Sequence, residues 1–126
     1  MMVGILIMSA CGQSAKIPTS PVKGNVTLDN KPVAGARVVF IPESGPAAEG
    51  LTNDAGDFVL KTGSVNSGAV PGKHTVTVTK VQLPPADKPY DPVKNLIPEK
   101  YSSVQTSGLT EVVKEGANEF HISLKE

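Results

Sequence analysis

Between Val22 and Pro42 the chain reads V-K-G-N-V-T-L-D-N-K-P-V-A-G-A-R-V-V-F-I-P, and its first half alternates apolar with polar positions. Val22, Gly24, Val26 and Leu28 alternate with Lys23, Asn25, Thr27 and Asp29, the period of a strand with one dry face and one wet face. Asp29-Asn30-Lys31-Pro32 breaks the pattern. Asn and Asp accept the left-handed backbone of a tight hairpin, and Pro32 has no N–H to give a ladder, so pairing is expected to end there. Gly35 permits a bulge, after which Ala36 to Ile41 resumes as a strand.

The theme repeats along the chain. Glu43 to Glu49 reads as a loop and Gly50-Leu51-Thr52 as a short strand. Asn53-Asp54-Ala55-Gly56 fits a type I turn closed by glycine, from which Asp57 to Thr62 leaves as a strand with Phe58 and Leu60 on one face. Gly63 to Val70 is a small-residue loop, and Pro71-Gly72 sets the start of the next strand. In His74 to Val81, Val76 and Val78 face inward while Thr75, Thr77 and Thr79 form a solvated surface. Leu83 to Pro98 carries five prolines and reads as irregular. Gly108 to Val113 and Glu119 to Leu124 are the last strands, the latter with Phe120, Ile122 and Leu124 inward and His121 and Ser123 outward. About seven short strands separated by turns predict an all-β fold, a seven-stranded Greek-key β-sandwich.

Composition narrows the function. The chain has 126 residues, enough for one core, and its 12 basic and 12 acidic residues give a net charge of zero, which leaves no electrostatic footprint for nucleic acid. The single cysteine, Cys11, excludes an internal disulfide and a thiol zinc site. It follows an apolar run from Met1 to Met8, and Met8-Ser9-Ala10-Cys11 resembles the processing site of a bacterial lipoprotein signal. This divides the chain into a signal peptide (1–10), a polar, proline-bearing tether (11–21) and a domain (22–126). The apolar run is too short to span a bilayer, which takes ~20 residues. Acyl chains on Cys11 would hold the domain to a bacterial membrane, on its periplasmic or cell-surface side. No Lys or Arg precedes Cys11, so a start upstream of Met1 is expected.

The series V-x-G-x-V, D-N-K-P-V-A-G-A-R-V-V-F, T-N-D-A-G-D-F and V-P-G-K-H-T-V-T-V, from Val22 to Val81, resembles the carboxypeptidase regulatory-like, transthyretin-like family of bacterial β-sandwiches. I-P-E-K-Y followed by T-S-G-L-T is similar to small lipoprotein members of that family. The resemblance implies a seven-stranded prealbumin-like fold and surface anchoring, and it transfers no ligand.

Candidate chemistry is sparse. His74 and His121 are the only histidines and Arg37 the only arginine, and no nucleophile elbow or zinc-helix motif occurs. The transthyretin-like hydrolases of the urate pathway end in Tyr-Arg-Gly-Ser, whereas this chain ends in H-I-S-L-K-E, so no catalytic residue is assigned. Asn53, Asp54 and Asp57 cluster oxygens, but that sequence is what the turn itself demands, and no metal or cofactor is assigned. Lys23 and Asn118 are nominal partners for an internal isopeptide bond, with Lys23 expected to be exposed. The proline-rich segment is the remaining candidate. Tyr90, Leu96, Ile97 and Tyr101 either form an apolar contact surface or cover an open sheet edge. The expected role is a non-catalytic, lipid-anchored binding or structural accessory module with an envelope protein or glycan as partner. A small-ligand or glycan carrier using Leu83 to Tyr101 is the alternative, and a transthyretin-like hydrolase a more remote one. The oligomeric state is not legible.

Overall fold

The computed structural model describes residues 18–63 and 66–126. The expected signal peptide, Cys11 and most of the tether lie outside the described residues. Among the described residues twelve strands follow in chain order, several of only two residues: β1 Val22–Leu28, β2 Lys31–Pro32, β3 Arg37–Pro42, β4 Ala48–Leu51, β5 Asp57–Val59, β6 Lys61–Thr62, β7 Asn66–Ser67, β8 Gly72–Thr79, β9 Val81–Gln82, β10 Lys94–Asn95, β11 Leu109–Val113 and β12 Asn118–Leu124. One sheet runs β12-β1-β2 with β5 also on β1, a second runs β11-β8-β3-β4-β6-β7, and β9 and β10 form a separate two-stranded ribbon. The fold is an all-β sandwich.

The opening alternation holds. Val22, Gly24 and Val26 are buried, Leu28 is half-buried, and Lys23 is exposed. Asp29 and Asn30 both take the left-handed backbone, with φ of 51° and 69°, which makes the two-residue hairpin turn. The β1–β2 ladder ends at Pro32, although the Val33 N–H gives one further bond to the Val26 carbonyl. Phe40 is the hub of the core. Its ring lies 6.3 Å from that of Phe58, 5.7 Å from Phe120 and 5.7 Å from His74, centroid to centroid, so both sheets meet on one side chain.

Residues 57–62 form one extended run that changes sheets. Asp57–Val59 pairs with β1, and Lys61 pairs with Glu49 of β4. Leu60, fully buried, marks the crossover. β1 lies parallel to β12 in unbroken register from Val22↔Asn118 to Leu28↔Leu124, so the first and last long strands of the domain are neighbours.

Three expectations are corrected. The threonine face of β8 is not solvated: Thr75 and Thr79 are half-buried and Thr77 is only 7% exposed. β8 lies between β3 and β11, and Val39 and Ile41 stand opposite Thr77 and Thr75, so neighbouring side chains crowd out water. The proline-rich segment is not wholly irregular, because β9 and β10 pair antiparallel through Lys94↔Gln82 and Asn95↔Val81. The prolines fall between those short strands and after them, where no ladder N–H is required. The expected loops at 43–49 and 63–70 contain the start of β4, from Ala48, and the short strand β7.

Candidate functional site

The proline-rich segment leaves β8 through β9, turns, returns through β10 and ends in a 3-10 helix, Glu99–Ser102. It does not gather its four candidate residues onto one surface. Tyr90 stands at the turn, 97% exposed, and Leu96 is 40% exposed, whereas Ile97 and Tyr101 are each 6% exposed and belong to the core. The Tyr101 hydroxyl accepts the Lys125 N–H at 3.0 Å and donates to the Lys125 carbonyl at 3.2 Å. The Leu124 carbonyl bonds to Asp29 N on the β1 side, so Lys125, one residue on, aims its backbone groups at the opposite side of the strand. Tyr101 therefore closes the open side of the chain just beyond the last residue of β12, Leu124. The Lys100 ammonium lies 5.1 Å from the Tyr101 ring centroid.

Leu96 and Ile97 also line an open cleft of about 290 Å3, together with Leu28, Pro32, Val33, Asp29, Lys31, Lys80 and Glu126. Its charged lining residues are of both signs. A second hollow, of about 210 Å3 and almost wholly apolar in its open wall, lies between Pro21, Val59, Gly68 and Ala117.

The histidines are far apart in role. His74 is fully buried on β8, its Nε2 2.7 Å from the Val70 carbonyl, its ring against Phe40 and its Nδ1 without a partner. His121 is exposed on β12, in the other sheet. They do not form an acid–base pair. Glu111 is the cross-strand neighbour of His74, and partial burial raises its carboxyl above the ordinary value of 4.5. A carboxyl with a raised folded-state pKa favours the folded chain when protonated. Its contribution is therefore complete below 4.5 and is lost as pH rises through the raised value. Glu111→Gln is expected to be slightly more stable than the parent at pH 7, with the difference closing as pH falls to 4.5. Thermal melts across pH 4–8 check this, and a Glu111→Gln protein no more stable at pH 7 contradicts it.

Asn53 and Asp57 direct side-chain oxygens into the turn and to β1. Asn53 Oδ1 accepts the N–H groups of Ala55 at 2.9 Å and Asp57 at 3.0 Å, and Asn25 Nδ2 donates to Asp57 Oδ1 at 3.0 Å and the Ala55 carbonyl at 3.1 Å. Among the described residues no cluster of three or more metal-ligating side chains occurs. Lys23 is exposed, and Asn118 is engaged with the backbone of Lys114, Gly116 and Pro21.

Sequence reasoning placed the start of the domain at Val22, but the hold on the chain begins earlier. Ser20 and Ala69 exchange both backbone hydrogen bonds, at 2.8 and 3.0 Å, and the Thr19 hydroxyl donates to the Ser67 carbonyl at 2.7 Å. The signal was present in Ser67-Gly68-Ala69, small residues that let another backbone come close.

No known family matches the chain, and no curated protein does. Among solved structures it is similar to a DUF3823 family protein from Parabacteroides merdae, at 13% identity and a TM-score of 0.44 over 86% of this chain and 46% of that one. It is also similar to a 9R-lipoxygenase from Cyanothece, at 13% identity and a TM-score of 0.43 over 94% of this chain and 18% of that one. The chain thus spans less than half the length of either protein.

Proposed function

We propose that this chain is a non-catalytic, lipid-anchored β-sandwich of the carboxypeptidase regulatory-like kind, acting as a binding or structural accessory module on the outer side of a bacterial membrane. The observation that carries this reading is the close spacing of a small-small-cysteine site and a rigidly held domain entrance. Cys11 is followed by a short polar stretch, and from Thr19 the chain is clamped to Ser67 and Ala69. At ~3.5 Å per residue, the stretch from Cys11 to Pro18 reaches about 25 Å at most, which keeps the 67–69 end of the sandwich near the lipid surface. The separation of His74 from His121 favours a non-catalytic role.

Cys11→Ala is expected to leave the thermal melt unchanged and to move the protein from the membrane to the soluble fraction, read by fractionation and by loss of the acyl mass. A variant that stays with the membrane overturns the anchor. A carrier role for the proline-rich segment is the second reading, favoured by the cleft beside Leu96 and Ile97. It is tested by Leu96→Asp, which would abolish retention on immobilised envelope glycans in that case while sparing the fold.

A further inference from the structure

Among the described residues, β12 has a hydrogen-bonded neighbour on one side only. The Asn118 N–H donates to the Pro21 carbonyl and the Leu124 carbonyl accepts from Asp29, so the even-numbered residues of β12 direct their backbone groups to β1. Those of Glu119, His121 and Ser123 point the other way, away from the sheet, and their side chains are exposed. This edge carries no proline, no bulge and no inward-facing charge, and its one charged side chain is the exposed Glu119. Only its far end is closed, where the Tyr101 hydroxyl occupies the Lys125 N–H and carbonyl.

We propose that this edge pairs antiparallel with the β12 edge of a second copy, about a two-fold axis at His121. Strand phase limits the choice, because outward-pointing residues must oppose outward-pointing residues. Centring the pair on Ile122 or on Ser123 would set Glu119 or His121 of the second copy opposite Lys125, whose backbone groups Tyr101 already holds. Centring on Phe120 sends Ser123 against Ala117, in the turn before the strand, and wastes the end of the ladder. Only the His121 centre uses all three open residues. Glu119 then faces Ser123, His121 faces its own copy, and Ser123 faces Glu119, each pair exchanging both N–H···O bonds.

Tyr101 stands just beyond the last pair on both sides of the axis, so the free length of the edge matches the ladder. The side chains agree with the backbone. On the inward face the half-buried Phe120 meets Ile122 of the second copy, apolar on apolar. On the outward face no carboxylate opposes a carboxylate and no ammonium an ammonium. The result is one continuous sheet through both copies, with a self-complementary contact of the isologous type.

The test uses the full chain carrying Cys11→Ser, so that a single introduced thiol reports. In an antiparallel hydrogen-bonded pair the Cα atoms lie roughly 5.5 Å apart, within the span of a disulfide. His121→Cys is expected to form a covalent dimer under mild oxidation. Glu119→Cys and Ser123→Cys are expected to form one only when mixed with each other, and Lys31→Cys, exposed on the opposite edge of the same sheet, to form none. In parallel, sedimentation is expected to show a concentration-dependent dimer that His121→Pro, which removes one outward N–H, returns to monomer with its melt retained. A monomer at all concentrations, or crosslinking of His121→Cys no faster than Lys31→Cys, overturns the proposal. So does a dimer in which Glu119→Cys or Ser123→Cys alone crosslinks as fast as His121→Cys.

Discussion

Tyr101→Ala is expected to cost about 3–5 kcal/mol of folding stability, the range for removing a large aromatic from a core. The ring is 6% exposed and lies in the same cluster as Ile97 and Leu124. Its hydroxyl serves two backbone groups of Lys125 at once. Truncation therefore opens a cavity, frees the end of β12 and unfastens the returning limb of the proline-rich segment together. Tyr101→Phe keeps the ring and loses the two bonds, for about 1–2 kcal/mol. Urea denaturation of the pair separates packing from hydrogen bonding. Tyr90→Ala is the matched contrast: at 97% exposure its stability change should lie within about 0.5 kcal/mol. A small loss for Tyr101→Ala would show that the segment is not a clamp.

Gly68→Ala is the second large effect. Gly68 has φ +89°, which L side chains rarely adopt, and a Cβ there would run into the Ser20 carbonyl oxygen and lie 3.0 Å from Pro21 Cα. The collision is with backbone on both counts, so no side chain can swing aside. Strain at such a position and overpacking each cost about 1–3 kcal/mol. The Ser20–Ala69 bridge and the Thr19–Ser67 bond would be the first contacts to go. Hydrogen exchange at Ser20 and Ala69 should rise far more than at Val38 or Val78, which sit at the centre of the other sheet. Equal loss of protection at both places would mean that the clasp does not open separately from the core.

The sequence carried the fold well and the site poorly, for reasons visible in single residues. Strand faces were legible wherever a long strand is dry on one side: Val22 and Val26, Phe58 and Leu60, and Ile122 and Leu124 all lie where the alternation placed them. Thr77 was misread because its burial comes from the strands flanking it, and period alone cannot distinguish a central strand from a wet one. Ile97 and Tyr101 were open to two readings, contact surface or edge cover, because prolines surround them. Whether an apolar residue beside prolines faces water or a neighbouring strand depends on where the segment returns, which only the β9–β10 pairing fixes. His74 gave no sign in the sequence of being a core residue, yet on β8 its ring nitrogen is held by the Val70 carbonyl. Its complete burial follows from Phe40, a residue far away in sequence.

The parallel pairing of β1 with β12 has a mechanical side. A pull delivered at the Val22 end of β1 and resisted at the Leu124 end of β12 acts along both strands in opposite directions. The hydrogen bonds between them then lie across the load and share it in shear, instead of opening one after another like a zipper. Survival under such a pull is governed by the rate of forced rupture, so the domain would hold tension applied between those two ends better than its modest size suggests.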